Sequence, residues 1–200
     1  MNGAGLMLKG FGVAYRGYMD WKFERLLQKA EAYGLTKNEL YDSDQRFALY
    51  MRIGRAFESC SEKEVVDYLA EVMIGSIKCG DADERPDFAQ MAIGSLLGVT
   101  RLELNILCFM QANQIYLFQD FSLYGQEEED RLKRLYLQAS EELEIELSLF
   151  NSVLGGLSRT GLVSPPVSGA GGVIVEGTSR LTSLARELFR YVDYNKRLTN

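Results

Sequence analysis

The side chains in this 200-residue sequence whose type and spacing suit chemistry are carboxylates. Glu64, Asp67 and Glu71 recur at intervals of three and four, which sets them on one outward face of a helix. Asp81, Asp83 and Glu84 follow in a short loop, with Asp87 beyond it. Carboxylates this close can hold a hard cation, or divide into a general acid and a general base. The loop from Asp81 lacks the glycine at the sixth position and the terminal glutamate of an EF-hand, so solvated acidic surface is the reading adopted. Histidine is absent altogether. That removes Ser-His and Cys-His dyads, histidine metal ligation and histidine general bases together. Cys60, Cys79 and Cys108 are widely spaced and form neither a disulfide framework nor a zinc knuckle. They read as small apolar fillers on helices in a reducing compartment. The expectation is therefore no enzyme, no cofactor and no metal.

Binding residues stand out more than reactive ones. Phe11, Tyr15, Tyr18 and Trp21 sit close together near the N-terminus with Lys9 and Arg16. Three readings stay open for them: a plain core helix, a partner or homodimer interface, and a helix lying on a membrane. Glycines in the same stretch would permit close helix approach. Charge is uneven along the chain, whose net is −6. Residues 61–90 hold three basic against eight acidic groups, and residues 127–146 again three against eight. Residues 147–200 hold six basic against three acidic groups. An acidic block argues against nucleic acid at that surface.

Apolar spacing near the helical period, punctuated by capping signals, sets out the elements that carry these residues. A helix is expected over Met7–Tyr33, weakened at its front by Gly3, Gly5, Gly10, Gly12 and Gly17. Thr36 with Glu39, Ser61 with Glu64 and Thr100 with Glu103 have the spacing of capping boxes, and Pro86 suits a first helical turn. Helices are accordingly expected from Asp44 to near Ser59, then after Ser61, after Pro86 and after Thr100. A long helix or helix pair is expected over roughly 127–157. Beyond Gly155-Gly156 the texture changes. The stretch 157–163, a Gly-rich hairpin with its tip at 164–172, a strand Val173–Val175 and a last helix from Leu181 have the order of a winged helix. Its recognition helix would span about 141–157 and open with Glu141, Glu142, Glu144 and Glu146, which phosphates would repel. The longest uncharged helical run, Leu104–Gln119, is broken by amides and makes a poor membrane span. Met1–Met19 has no apolar stretch of signal length. A cytoplasmic location without a transmembrane segment is expected.

The order of residues from Arg55 to Met73, and from Arg85-Pro86-Asp87-Phe88 through Thr100-Arg101-Leu102, resembles the abortive-infection Abi-alpha-like family of small bacterial proteins. Gly161-Leu162-Val163 and Leu181-Thr182-Ser183-Leu184-Ala185 continue the likeness, which covers about residues 45–195. Arg85 stands where members carry histidine before the proline, and Ala185 where they carry glycine. The resemblance implies a phage-defence or immunity setting and brings no catalytic residues with it.

The expected architecture is mainly α: a helical bundle over 1–125, then a winged-helix-like unit with a short β-hairpin over 126–200. The expected role is a non-enzymatic protein-interaction module in a bacterial or phage conflict. Its partner-binding residues would be Phe11, Tyr15, Tyr18, Trp21, Glu64, Asp67, Glu71, Asp81 and Asp83. A homodimer is a further expectation, and nucleic acid is disfavoured. The alternative is a winged-helix transcriptional regulator touching DNA through Arg159, Arg180 and Arg186.

Overall fold

The computed structural model describes residues 3–117, 126–165 and 179–198, with side chains described between residues 12 and 195. The described chain is mainly helical, with a small two-stranded antiparallel sheet. By packing it divides into two compact units, Met1–Gly98 with Tyr191–Asn200, and Val99–Arg190. The boundary expected between 125 and 126 lies at the edge of residues 118–125, which are not described.

The first unit is built from α1 (Gly3–Ala32), α2 (Asp44–Ser59), α3 (Lys63–Lys78), the single turn α4 (Asp81–Glu84) and α5 (Pro86–Ser95). Of the expected apolar stripes, Leu26, Ile53, Phe57, Leu69 and Met73 are buried, joined by Ile93, whereas Phe47, Phe88, Met91 and Leu97 are exposed. Gly34 and Gly80, both with positive φ, follow the ends of α1 and α3, where a left-handed residue closes a helix. Asp81 and Asp83, expected in a loop, stand in the helical turn α4. Ser43 caps α2 by accepting from the Arg46 amide at 3.2 Å. The expected Ser61 cap is not made. α3 starts instead at Lys63 with Glu62 in the cap position and no side-chain cap bond.

The second half of the last helix, α9 (Ser183–Leu198), completes this unit against α3. Asn195 donates to the Glu71 carbonyl at 2.8 Å. At Gly75 the two backbones touch: a Cβ there would overlap the Tyr191 carbonyl. Only glycine admits that approach.

The second unit contains α6 (Arg101–Ala112), α7 (Gln126–Glu142), α8 (Leu147–Leu157), β1 (Val163–Ser164), β2 (Arg180–Leu181) and the first half of α9. Here the Thr100–Glu103 capping box forms in full. β1 pairs antiparallel with β2, Val163 opposite Leu181. On its other side Leu181 exchanges backbone hydrogen bonds with Ile115 and Leu117, both 2.9 Å. The helix expected over about 141–157 is corrected: it begins at Leu147, after a turn in which Glu144 has φ 53°. Glu141 and Glu142 therefore end α7, and Glu144 and Glu146 lie in the turn and at the α8 cap. Most of the expected wing tip and the strand Val173–Val175 lie outside the described residues.

Candidate interaction surface

Among the described residues, α1 is held to the bundle from Tyr15 onwards. Arg25 and Lys29 on α1 meet Asp67 and Glu71 on α3, at 2.5 and 2.6 Å. Both pairs step by four residues in the same direction, so the two helices run parallel and their i,i+4 rows match. One turn earlier Lys22 is fully buried, with its ammonium donating to the Phe57 and Cys60 carbonyls at the end of α2. A cation there meets the negative end of the helix dipole and satisfies orphan carbonyls. The Tyr18 ring lies 3.9 Å from that ammonium and stacks on Trp21. The Tyr18 hydroxyl donates to the Cys60 and Ser61 carbonyls, both at 3.2 Å.

Every residue from 12 to 18 is exposed, Val13 at 74%, Tyr15 at 43% and Tyr18 at 39%. A Cβ placed on Gly12 or Gly17 would meet nothing within 4 Å. Tyr15 donates to Glu58 at 3.0 Å, and this hydrogen bond to a carboxylate raises the Tyr15 pKa. Of the expected aromatic site residues, Tyr15, Tyr18 and Trp21 thus share this end of α1. Phe11 lies in the helix, with its side chain outside the description. Gly3, Gly5, Gly10, Gly12 and Gly17 each cost about 1 kcal/mol of helix stability relative to alanine. A helix end this rich in glycine gains little stability from propensity alone.

The carboxylates are placed differently from the outward acidic face expected. Asp67 and Glu71 turn towards α1, because Arg25 and Lys29 are there to neutralise them. Glu64 is exposed. Asp81 is only 6% exposed, held by Arg85 at 2.5 and 3.1 Å and by the Tyr191 hydroxyl at 3.0 Å. Asp83 accepts from Ser43 and Arg46, both at 2.8 Å. Burial pushes the Asp83 pKa up, and the Arg46 and Ser43 hydrogen bonds outweigh it, so the carboxyl sits below its ordinary value. These groups are engaged within the fold, and among the described residues no three acidic, cysteine or histidine side chains converge on a point suited to a metal. Cys60 is buried with its thiol pKa raised by burial, Cys79 is half-buried and Cys108 exposed. A thiol raised in this way is a poor nucleophile.

In the second unit two of the three arginines that the regulator alternative turns to DNA are paired with carboxylates. Arg180 is 2% exposed and reaches Glu129 at 2.8 Å and Glu128 at 3.3 Å. Arg159 meets Glu103 at 2.6 Å. Burial raises the Glu103 pKa, but the Arg159 hydrogen bond and the Thr100 amide together bring it below the ordinary range. Arg186 is exposed, its guanidinium 4.8 Å over the Tyr116 ring. The helix α8 contains no charged residue, and Ser148, Leu149, Asn151 and Ser152 lie on its exposed side.

Sequence reasoning passed over Lys22, Tyr191 and the Glu128–Glu129 pair. Lys22 did leave a signal: it stands four residues from both Tyr18 and Leu26, a lysine on an apolar row. The others are visible only once distant elements meet. Comparisons with protein-family models, with curated proteins and with solved structures find no match.

Proposed function

We propose that this chain is a non-enzymatic, cytoplasmic interaction protein that binds a protein partner through the N-terminal turns of α1. The observation that carries the reading is the run of exposed positions from 12 to 18, with Val13, Tyr15 and Tyr18 on a glycine-rich helix end. Aromatic residues are favoured at protein interfaces, and burial against a partner offsets the low helix propensity of the stretch. The setting, a bacterial or phage conflict, rests on the resemblance over residues 45–195.

The C-terminal half is proposed as a winged-helix-like unit used for protein contact. Its support is the order α6, the extended residues 115–117, α7, α8, β1 and β2, with Leu181 bonded on both sides. A DNA reader needs exposed basic or amide groups on the helix that enters the groove. α8 supplies Asn151 and no charge, while Arg180 and Arg159 are paired with carboxylates.

The test is capture from host lysate by the full chain and by a Val13→Glu/Tyr15→Ala variant, beside a salt-dependent DNA shift assay. A protein retained by the parent and lost with the variant supports the proposal. Tight sequence-selective DNA binding that Arg186→Glu abolishes overturns it in favour of the regulator.

A further inference from the structure

We propose that the groove between α2 and α5 docks an acidic amphipathic segment of a protein partner, with a carboxylate of that segment on Arg52 and its apolar side chains against Met51 and Met91. The inference stands apart from the N-terminal turns of α1 and uses side chains of the first unit only. The half-buried Arg52 reaches from α2 across to α5, where its guanidinium lies over Gly94. A Cβ on Gly94 would stand 2.7 Å from Nη2 and 3.2 Å from Nε, so glycine leaves the room that the guanidinium fills. Its Nη1 donates to the Gln90 side-chain oxygen at 3.4 Å, near the outer limit of a hydrogen bond. Nε is buried and has no acceptor. Arg25, Arg46, Arg159 and Arg180, by contrast, meet carboxylates at 2.5, 2.7, 2.6 and 2.8 Å. A buried donor without an acceptor bears the full cost of its desolvation.

Charge complementarity selects the occupant. No carboxylate lies between Gln45 and Phe57 or between Phe88 and Gly98, in a chain of net −6. The cations of those stretches are Arg46, Arg52 and Arg55, and Arg46 is taken by Asp42 and Asp83. Arg55, one turn beyond Arg52, is exposed. Ala48, Arg52 and Arg55 are spaced by four and three, so they share one row of α2 beside the groove. The rims are apolar, with Met51 49% exposed on α2 and Met91 53% exposed on α5. Methionine adapts to varied apolar side chains, and an amphipathic helix laid in a groove is read through anchors three and four residues apart. A slight outward turn of the guanidinium would offer Nε and Nη2 together to one carboxylate, the bidentate pairing that supplies the acceptor Nε lacks. Nucleic acid suits the groove poorly, since its affinity rests on many phosphate contacts and here two cations stand between methionines.

Panning a phage-displayed library of random peptides, about 16 residues or four helical turns long, on the full chain tests this. Fluorescence anisotropy of the selected peptides then compares the parent with Arg52→Gln, Met51→Ser/Met91→Ser and Val13→Glu/Tyr15→Ala, while Trp21 emission shows that the bundle stays folded. Expected are peptides that interleave Asp or Glu with large apolar residues at spacings of three and four. Arg52→Gln should bind them about tenfold or more weakly, the methionine pair should also weaken them, and Val13→Glu/Tyr15→Ala should bind as the parent does. No enriched consensus, a consensus without acidic residues, or binding indifferent to Arg52→Gln overturns the proposal. Loss of the peptides in Val13→Glu/Tyr15→Ala overturns it in favour of α1, and self-association of the parent that Arg52→Gln abolishes overturns it in favour of a second copy. Preference for single-stranded oligothymidine over every selected peptide overturns it in favour of nucleic acid. Should Arg52→Gln not fold, the exposed methionine pair decides: peptides held at parental strength by that variant overturn the proposal.

Discussion

Replacing Arg180 by methionine isolates the most buried charge of the second unit. The Arg180 side chain is 2% exposed, while those of its partners Glu128 and Glu129 are 20% and 12% exposed. Methionine keeps much of the apolar stem but takes the guanidinium away from the partly buried Glu129. Glu128 keeps Arg131 at 3.1 Å. Removing one partner of a buried pair costs about 3–5 kcal/mol, and the residual exposure of the carboxylates puts the cost at the lower end, about 3 kcal/mol. Arg180→Met/Glu129→Met removes the facing carboxylate as well and should recover at least half of that loss. Trp21, the single tryptophan, lies in the other unit and does not report on this one. Native-state hydrogen exchange over peptides 101–117 and 126–164 does. A cost below about 1 kcal/mol, or a double variant no more stable than the single one, would refute the claim that this pairing holds α7 to β2.

Three further outcomes follow from the same geometry. Glu103 and Asp83 both titrate below their ordinary values in the folded chain. Their contribution is therefore fully present above the unfolded values of about 4.3 and 3.9, and it is lost as pH falls through the lower folded values. Acid titration followed by circular dichroism should show that lability, and Glu103→Gln should flatten the response below about pH 4. Gly75→Ala forces a methyl against the Tyr191 backbone and should cost about 3 kcal/mol in urea unfolding followed by Trp21 emission. A loss under 1 kcal/mol would mean that α3 and α9 are not in contact there. Lys22→Met takes the ammonium away from the Phe57 and Cys60 carbonyls at the end of α2, the second of which keeps the Tyr18 hydroxyl, and should cost about 1–3 kcal/mol by the same assay.

Local signals in the sequence were good guides to helices and poor guides to partners. The Thr100–Glu103 box is a two-residue device and formed as its spacing implied. The Ser61–Glu64 box did not, although its spacing is the same. The chain there links α2 to α3, with the Ser61 carbonyl accepting from Tyr18. The outward reading of Asp67 and Glu71 failed for a tertiary reason, since only the parallel register of α1 and α3 brings Arg25 and Lys29 against them. The joined helix over 141–157 missed the break at Glu144, a left-handed residue that is not glycine and so carries no mark in the sequence. Within the expected aromatic cluster, spacing correctly grouped Tyr15, Tyr18 and Trp21 at one end of α1. That residues 12–18 are exposed while Tyr15 and Tyr18 still reach Glu58 and Cys60 depends on where α2 stops, at Ser59.

The most direct measurement is cross-linking mass spectrometry in cells that make the full chain, read at Lys9 and Lys22 of α1. The account predicts that Lys9 links to another polypeptide and that the links vanish in Val13→Glu/Tyr15→Ala, while buried Lys22 stays silent. Links from Lys9 confined to its own chain, or intermolecular links that persist in the double variant, would contradict it.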